Sequence, residues 1–338
     1  MPAAVPRVAV VIVSYRSAAL VIECLRSLVH EQASPDIQLN AIVVDNASGD
    51  FATIASAISA EGWHSWATVI EAPRNGGFGY GNNFGIAHAW KKFCPDYFHL
   101  LNPDTLVRPH AATRLVDFLE RNPTFGIAGS SFENTDGSDW PIAFRFPSLT
   151  SEVEAGVSLG ILTRLLSRWK VPQTMSAREQ RIDWGSGASL MVRRKVLESV
   201  GGLDENFFLY FEETEFCWRA THAGFPVAYV PQSRIVHIGG GSTGASEHDG
   251  TRRRLPAYWF ESRRYYFVVT CGPARAMAID IAALIAYSLG TLRLIVQGRR
   301  NKVIPHYVAD LWRFSVLHPR NRRPSKPQIP RYPDWIPG

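Results

Sequence analysis

The sequence predicts an α/β fold with a mostly parallel central sheet. Short apolar runs rich in β-branched residues recur through the N-terminal third of the chain, as is typical of strands that are covered on both faces. Segments with helical spacing of apolar residues separate these runs. Strands that alternate with helices indicate right-handed crossover units, which build a parallel sheet with helices on its faces.

The predicted elements follow one another in this alternating order. The first strand is Val8–Val13, and the first helix is Ala19–His30, whose apolar residues fall on one side. Pro109 opens the last helix of this part of the chain, because proline is favoured in the first turn of a helix. The other predicted strands are Ala41–Val44, Ala67–Glu71, Tyr97–Leu101 and Phe125–Gly129, and the other predicted helices are Phe51–Ala60, Phe84–Lys92 and Pro109–Glu120.

The pattern breaks into shorter pieces after Ser130. Residues 148–181 are mixed and polar, and we expect part of this stretch to be mobile. A tail at 319–338 is rich in Pro and Arg, which indicates extended or disordered chain. We therefore expect an α/β domain at 1–250, a basic and aromatic helical extension at 251–318, and the tail. The later predicted elements are strands at Ser186–Val192 and Pro226–Val230 and a helix at Glu213–Ala223.

The composition is that of a folded protein, and its charge is unevenly distributed. Hydrophobic residues make up 46% of the chain and charged residues 20%, which excludes a wholly disordered chain. Residues 255–338 carry 13 Lys and Arg against four acids, a net charge of +9, whereas the rest of the chain sums to −3. A basic C-terminal part indicates an anionic partner, either a membrane surface or a nucleic acid.

The most apolar stretch of this basic part is Ala276–Leu292, seventeen residues with the single charge of Asp280. This length is the lower limit for crossing a bilayer, and a charge inside the span is costly. The stretch therefore favours a buried or interfacial helix. Tryptophan and tyrosine residues interleaved with arginine lie on both sides of it. They fit a membrane-surface face, and they fit equally well the packing of C-terminal helices against one another.

The cysteines predict a reducing compartment. Cys24, Cys94, Cys217 and Cys271 are far apart, without zinc-binding spacing, and four scattered cysteines in a chain this long do not make a disulfide framework. The N-terminal apolar run indicates a first strand rather than a secretory leader. We therefore expect a cytoplasmic protein.

Polar residues follow three of the predicted strands. Ser14 and Tyr15 follow the first strand, Asp45 and Asn46 follow the second, and Asn102 with Asp104 follows the fourth. Ligands of open α/β sheets bind beyond the carboxyl ends of the strands, so these side chains are candidates for contact with a ligand. Asp45 could accept hydrogen bonds from a ribose or a base, or it could cap the segment beyond Ser48. Asp104 could bind a divalent metal ion, or it could cap its own turn.

A glycine-rich stretch, Asn75–Asn83, precedes the predicted third helix of the chain. Flexible backbone at a helix start lets amide N–H groups approach a diphosphate closely, although turn formation alone would also explain the glycines. The glycines do not match the dinucleotide-binding fingerprint, and the stretch follows the third strand rather than the first. A nicotinamide-dependent enzyme is therefore disfavoured.

The segment Gly202–Arg219 contains three carboxylates directly behind a run of aromatic residues. Glu212, Glu213 and Glu215 are candidates for a general base, because apolar surroundings raise the pKa of a carboxyl group toward the working range. Ordinary structural roles are also open: an ion pair between Glu215 and Arg219, four residues apart, and acids placed at a helix start for Glu212 and Glu213. His237 ends an apolar strand before three glycines, where it could be structural or could close over phosphates and reach a metal ion.

Taken together, seven segments resemble the family 2 glycosyltransferases with the GT-A fold, and bacterial rhamnosyltransferase-like members in particular. They are VAVVIVSY, VVDNASGD, NGGFGYGNN, LLNPDT, GSGASLMVRR, GGLDENFFLYFEETEFCWR and VHIGGGST, and they occur in the family's order over residues 7–243. The resemblance implies a GT-A catalytic domain at 1–250.

The resemblance also implies a role for each candidate residue. Glu213 matches the catalytic base and Glu212 its acidic neighbour, although either could be the base. Asp104 and His237 match ligands of Mg²⁺ or Mn²⁺, and Asn102 replaces the first acid of the family's metal motif. Asp45 matches the acid that holds the nucleoside. The implied nucleotide-sugar site comprises Ser14, Tyr15, Asp45, Asn75, Gly76, Gly77, Phe78, Asn82, Asn83, Asn102 and Asp104, and the implied acceptor side comprises Trp184, Gly187 and Glu215.

The implied activity is inverting transfer of a sugar, with rhamnose favoured, from a dTDP- or UDP-linked donor to a saccharide or polyprenyl-linked acceptor in envelope or surface polysaccharide synthesis. We expect the enzyme in the cytoplasm, peripheral on the inner face of the membrane, with an anionic membrane surface and not a nucleic acid as the partner of its basic end. The alternative is a catalytically weak membrane-surface scaffold that keeps the fold.

Overall fold

A computed structural model describes residues 4–134, 137–157, 165–238, 253–321 and 325–332 of the chain. Its main sheet has the strand order β3-β2-β1-β4-β11-β6-β12-β5, with β7 paired to β6 and β9 to β12. The strands are β1 (Arg7–Ser14), β2 (Gln38–Asp45), β3 (Ala67–Glu71), β4 (Tyr97–Leu101), β5 (Thr105–Val107), β6 (Ile127–Glu133), β7 (Asp139–Trp140), β8 (Ala143–Phe144), β9 (Gln180–Ile182), β10 (Trp184–Gly185), β11 (Ser189–Arg193) and β12 (Val227–His237).

Helices cover this sheet and continue into a C-terminal bundle. The helices are α1 (Ala18–Gln32), α2 (Phe51–Ala60), α3 (Gly77–Phe93), α4 (Ala111–Arg121), α5 (Leu149–Val157), α6 (Arg194–Val200), α7 (Glu212–His222), α8 (Ala257–Cys271), α9 (Pro273–Val296) and α10 (Tyr307–Phe314). Strands β1 to β4 pair in parallel, and β11 runs antiparallel between β4 and β6. The predicted α/β class with a mostly parallel sheet and a C-terminal helical region is confirmed.

The predicted strands and helices of the N-terminal part are present because their apolar residues fill the core. Val8–Val13 is buried along its length in β1, and α2 and β3 have the predicted bounds. Helix α4 begins at Ala111 rather than Pro109, because His110 has a left-handed φ of 66° that separates the proline from the helix.

The glycine-rich stretch was predicted to be a loop, and this prediction is wrong from Gly77 onward. Helix α3 begins at Gly77, seven residues before the predicted start. The glycines allow the helix to lie directly on the sheet: a Cβ atom on Gly81 would come 2.6 Å from Val13, and one on Gly85 would come 2.5 Å from Val11. Close packing of a helix on β1, rather than turn formation, therefore explains these two glycines.

The C-terminal helices are joined to the α/β domain by a buried ionic cluster. Arg263 of α8 donates to Asp280 of α9 at 2.7 Å and to Glu152 of α5 at 2.7 Å, and the second oxygen of Asp280 accepts the N–H of Val316 at 2.7 Å. Helix α5 lies within the stretch that was expected to be partly mobile. It packs closely on α9, because a Cβ atom on Gly290 would collide with the carbonyl oxygen of Gly156. The charge inside the apolar stretch is thus paired within the protein.

Helix α9 is long and apolar enough to cross a membrane by length and composition, which is weak evidence for a span. One of its faces is buried against α5, α8 and α10, and the other face is exposed.

The described part of the tail, Ser325–Tyr332, is extended and packed on the α/β domain rather than disordered. Pro330 and Tyr332 are buried, and the tyrosine ring stacks on Trp90 of α3 with a centroid distance of 5.3 Å. The carbonyl oxygens of Pro330 and Gln328 accept the N–H groups of Gly202 and Glu205.

Candidate active site

A cleft opens at the carboxyl end of β4, between α7 and the end of β12. It brings together the two acids at the start of α7, the polar residues after β4 and the last residue of β12. Its lining residues are Phe78, Asn102, Asp104, Ser186, Gly187, Ala188, Leu209, Tyr210, Glu212, Glu213 and His237. The four predicted catalytic and metal-binding residues, Asp104, Glu212, Glu213 and His237, therefore share one cavity with the predicted donor-site residue Asn102, although they are spread over more than a hundred positions.

The paired acids occupy the first turn of α7. Burial raises the pKa of Glu212 well above its ordinary value, and the adjacent charge of Glu213 raises it further. Burial also raises the pKa of Glu213, while N–H groups of its own residue, Gly187 and Thr214 oppose the shift. One oxygen of each carboxyl group is buried without a hydrogen-bond partner. Two such groups in contact share their protons, so the pair can retain one proton and still supply one base.

The turn directly before these acids has an unusual backbone conformation. Tyr210 and Phe211, directly before α7, have φ values of 70° and 69°, a left-handed conformation that side chains with a Cβ atom rarely adopt. Gly77 and Phe78 of α3 lie close beneath: the N–H of Phe78 donates to the carbonyl oxygen of Phe208 at 3.1 Å, and a Cβ atom on Gly77 would collide with that oxygen.

Asp104 and His237 lie side by side in the cleft, because the end of β12 pairs with β5 directly after Asp104. His237 Nε2 lies 3.5 Å from Asp104 Oδ1, and both Asp104 Oδ1 and His237 Nδ1 are buried without hydrogen-bond partners. A carboxylate oxygen and an imidazole nitrogen are ligands that Mg²⁺ and Mn²⁺ accept, so the pair fits two positions of a metal site. The described residues hold no cluster of three or more His, Cys, Asp or Glu around a common point, so further ligands would come from a bound diphosphate or water.

Asp45 has the capping role that the sequence allowed. Its Oδ1 accepts the N–H and hydroxyl of Ser48 at 3.0 and 2.6 Å, and its Oδ2 accepts the N–H groups of Gly49 and Phe51 at 3.2 and 3.1 Å. These four bonds use the acceptor capacity of the carboxylate. Contact with a nucleoside would require one of them to be given up. Ser14 is likewise committed, to Ser17 and Asp50, whereas Tyr15 is exposed.

The asparagines of the glycine-rich stretch separate into two groups. Asn75 accepts the amide of Asn46 and the N–H of Gly77, close to the cleft residue Phe78. Asn82 bonds back to the carbonyl oxygen of Phe78 within α3. Asn83 bonds to the N–H and carbonyl of Leu203 and to Tyr332, so its side chain supports the segment before α7 and is not available to a nucleotide.

On the acceptor side, only Gly187 of the predicted residues lines the cleft, where it lies against Phe78 and Glu213. Trp184 stacks on Phe144 at 4.4 Å, and its indole N–H donates to the carbonyl oxygen of Arg145. Glu215 is buried and paired with Arg219 at 2.6 Å. This is the ion pair that the spacing allowed, and Glu215 is not among the residues that line the cleft.

Asn46, a candidate with Asp45 at the end of the second strand, has its Oδ1 buried without a partner. Two further residues near the site were not predicted. Asp50 accepts the N–H of Ser17 and the hydroxyl of Ser14 after β1. Trp140 of β7 lies edge-on to His237 at 5.0 Å. The contact of Trp140 depends on pairing between β6 and β7, which no local pattern indicated.

The family model of "Glycosyltransferase like family 2" matches residues 6–265 of the chain. The N-acetylglucosaminyl-diphospho-decaprenol L-rhamnosyltransferase of Mycobacterium tuberculosis is 30% identical over 191 residues, which cover 52% of this chain and 60% of that protein. The rhamnosyltransferase WbbL of Escherichia coli is 28% identical over 166 residues, 48% of this chain and 60% of that protein. The chain thus matches about three fifths of the length of these relatives.

Solved structures share the fold at low identity. The mannosyltransferase PcManGT from Pyrobaculum calidifontis, solved with GDP-Man and Mn²⁺, superposes with a TM-score of 0.54 at 16% identity, covering 95% of this chain and 83% of that one. GalNAc-T7, solved with UDP, GalNAc and Mn²⁺, gives 0.55 at 13% identity, covering 87% and 55%. Because the family model spans most of the chain and the fold agrees with it, the protein belongs to the family 2 glycosyltransferases with the GT-A fold.

Proposed function

We propose that the enzyme transfers a sugar with inversion from a nucleoside diphosphate to a hydroxyl group of a saccharide acceptor. The observation that carries the proposal is that the acid pair and the candidate metal ligands line one cleft. Glu213, Asp104 and His237 line the same cavity, and each has one buried polar side-chain atom without a hydrogen-bond partner. A base opposite a diphosphate site is what a single displacement needs, because the acceptor attacks the anomeric carbon from the face opposite the leaving group.

Glu213 is proposed as the base and Glu212 as its protonated neighbour. Burial raises the pKa of both acids, and N–H groups of three residues oppose the shift at Glu213 against one at Glu212. We take Glu213, whose charged form has more N–H partners, as the ionised member of the pair. It accepts the proton of the acceptor hydroxyl while the acceptor oxygen forms its bond to the anomeric carbon. The bond from that carbon to the diphosphate oxygen breaks, and the electron pair leaves with the nucleoside diphosphate.

Asp104 and His237 are proposed to hold Mg²⁺ or Mn²⁺ together with the diphosphate of the donor. When bound, such an ion neutralises the negative charge that grows on the leaving diphosphate. Asn102 lines the same cleft, and its side chain is proposed to contact the donor. Mn²⁺ in the complexes of two proteins with the same fold supports a divalent ion here.

A dTDP-linked rhamnose is the proposed donor, and UDP-linked sugars are the alternative. Several of the related sequences are named as rhamnosyltransferases, and one of these names includes a diphospho-decaprenol acceptor. We therefore propose a polyprenyl-linked saccharide as acceptor, in envelope or surface polysaccharide synthesis. A cytoplasmic enzyme is consistent with its four free cysteines, of which Cys24 and Cys217 are buried.

A membrane surface is proposed as the partner of helix α9. Met277, Ile281, Ile285, Leu289 and Leu292 recur at three- and four-residue intervals on its exposed face. The helix is roughly 36 Å long by its rise per residue, so this row is long enough to lie in an interface. Exposed basic residues lie at both ends of the row, Arg275 at one end and Arg299, Arg300 and Lys302 at the other. Apolar side chains flanked by cations fit an anionic bilayer surface.

The transfer proposal is tested by incubating the enzyme with labelled dTDP-rhamnose and N-acetylglucosaminyl-diphospho-polyprenol, with Mn²⁺ or with EDTA. We expect a metal-dependent rhamnosyl product whose anomeric configuration is opposite to that of the donor. Parallel reactions with UDP-linked sugars identify the donor if dTDP-rhamnose is inert. Retention of the anomeric configuration would contradict the proposed single displacement, and transfer unaffected by EDTA would contradict the metal site.

The membrane proposal is tested by sedimentation with vesicles of phosphatidylglycerol and phosphatidylcholine. Ile285→Asp places a charge in the middle of the apolar row and should release the protein from the vesicles. Val29→Asp introduces the same charge at an exposed apolar position of α1 and should leave binding unchanged. If both variants and the unaltered protein bound the vesicles equally, the exposed face of α9 would not be the membrane-binding surface.

A further inference from the structure

We propose that the tail residues Ser325–Tyr332 position the catalytic acids, by fixing the segment Gly202–Phe211 that leads into α7. This segment is called the acid loop below. Asp204 and Tyr332 are thereby assigned as positioning residues, and the tail becomes part of the catalytic unit. This assignment rests on the proposed role of Glu213 only for its kinetic consequence, because the contacts themselves are independent of that role.

Asp204 is the point at which the tail, the helical bundle and the acid loop meet. Asp204 is buried, with 1% of the residue exposed. Oδ1 accepts the N–H of Gln328 from the tail at 2.9 Å and the N–H and side-chain amide of Asn206 at 3.1 and 2.9 Å. Oδ2 accepts the hydroxyl of Tyr265 from α8 at 2.7 Å. One buried carboxylate therefore joins three parts of the chain that lie far apart in sequence.

The backbone of the tail pairs with the start of the acid loop. The N–H of Gly202 donates to Pro330 and the N–H of Glu205 donates to Gln328, at 2.9 and 3.0 Å. The amide of Asn206 also reaches the carbonyl oxygen of Lys326 at 2.8 Å. The close approach leaves no room for a side chain at Gly201, directly before the loop, since a Cβ atom there would come 2.5 Å from the carbonyl oxygen of Pro330.

Tyr332 anchors the end of the tail segment Ser325–Tyr332 to α3. Its ring stacks on Trp90 with an interplanar angle of 9°, and its hydroxyl lies 3.2 Å from the side-chain oxygen of Asn83. The same oxygen accepts the N–H of Leu203 at 3.0 Å. Tail, helix α3 and acid loop therefore share one hydrogen-bonded contact, remote from the cleft.

The acid loop needs such support because of its backbone. It ends in two consecutive left-handed residues, Tyr210 and Phe211, and such conformations persist only where the surroundings over-determine them. Phe78 of α3 and Ser262 of α8 hold the carbonyl oxygens of Phe208 and Leu209 just before that turn. The tail holds the other end of the loop. Loss of the tail contacts should therefore make the backbone of the acid loop more mobile, and with it the position of Glu213.

Hydrogen exchange of the full chain tests the positioning directly, without any substrate. Tyr332→Ala removes the anchor, and Tyr332→Phe removes only the hydroxyl if the larger change prevents folding. Exchange of amides 203–216 should accelerate ~tenfold in Tyr332→Ala, while β1 and β2 exchange as in the unaltered protein. Trp63→Ala is the matched control, because Trp63 is a buried aromatic residue packed on Trp66 at a different place in the fold. Unchanged exchange at 203–216, or an increase spread over the chain as in the control, would overturn the proposal.

Kinetics then separate positioning from general destabilisation. In Tyr332→Ala and Asp204→Asn, turnover with dTDP-rhamnose should fall on the order of tenfold, while the Kd of dTDP with Mn²⁺ stays unchanged. The control Trp63→Ala, at a temperature where it is folded, should keep its turnover. Equal turnover in all three variants would contradict the kinetic consequence. If the unaltered protein neither binds dTDP nor transfers rhamnose, the proposed donor fails, and the exchange data still decide the role of the tail.

Discussion

The substitution Glu213→Gln tests the assignment of the catalytic base most sharply. It keeps the size of the side chain and removes its basic oxygen. A positioned base contributes roughly 10²- to 10⁴-fold to a rate, so turnover should fall by that factor, which corresponds to about 2.7 to 5.4 kcal/mol of transition-state stabilisation. The Kd of the nucleotide sugar should change little, because Asp104, His237 and the donor side of the cleft are untouched.

Stability distinguishes loss of a base from loss of structure. Burial raises the pKa of Glu213, which means that the fold disfavours its charged form. At neutral pH the neutral glutamine therefore removes an unfavourable charge, and the Tm should not fall. Glu215→Gln is the matched control on the same helix. It breaks the 2.6 Å ion pair with Arg219, so it should lower the Tm while its pH dependence of turnover stays that of the unaltered enzyme.

The assay is single-turnover transfer from dTDP-rhamnose as a function of pH. A base must be ionised, so activity should decline as the pH falls through the raised pKa of the acid pair, above the ordinary value of 4.5. Near-normal turnover of Glu213→Gln would refute the assignment. If Glu212→Gln instead abolished transfer, the base would be Glu212.

Three further predictions follow from individual contacts. Glu212→Gln should retain measurable transfer and leave the acidic limb of its pH profile nearly unmoved, because Glu212 is proposed to be protonated, and therefore uncharged, when Glu213 ionises; a large shift of the limb to lower pH would show that Glu212 carries the charge. Arg263→Ala should lower the free energy of unfolding by about 3–5 kcal/mol, measured with urea, because it leaves the buried carboxylate of Asp280 unpaired; a loss below about 1 kcal/mol would mean that this site is solvated. Gly77→Ala should reduce thermal stability and transfer together, since a Cβ atom would collide with the carbonyl oxygen of Phe208 at a φ of 88°, and unaltered values of both would contradict the close approach.

The strands of the α/β domain were predictable because burial on both faces leaves a local signature. Runs such as Val8–Val13 can be satisfied only inside a covered sheet, so the pattern and the fold coincide. Asp104 was a candidate because it follows a buried strand, and the paired acids were candidates because they follow a run of aromatic residues and match the family resemblance; the structure brings all three into one cleft. Polar side chains at the ends of parallel strands converge on one edge of the sheet.

The roles that failed were those set by partners distant in sequence. Asn83 stands in a glycine-rich stretch typical of phosphate contact, yet Leu203 and Tyr332 use its side chain. The glycines there serve the close packing of α3 on β1, which a local pattern cannot distinguish from a flexible loop. The proline-rich composition of the tail predicted extended or disordered chain. Only its hydrogen bonds with Gly202 and Glu205 reveal that Ser325–Tyr332 is packed on the fold.

The central claim is that one cleft holds a nucleoside diphosphate through a metal ion on Asp104 and His237. The most direct measurement is isothermal titration of dTDP and UDP, with Mn²⁺ and with EDTA, into the unaltered protein and into Asp104→Asn. We predict binding of one nucleotide that depends on Mn²⁺ and that weakens at least ~tenfold in the variant, because a carboxylate ligand is lost. Binding of equal strength in EDTA and in Asp104→Asn, or binding of neither nucleotide, would contradict the account.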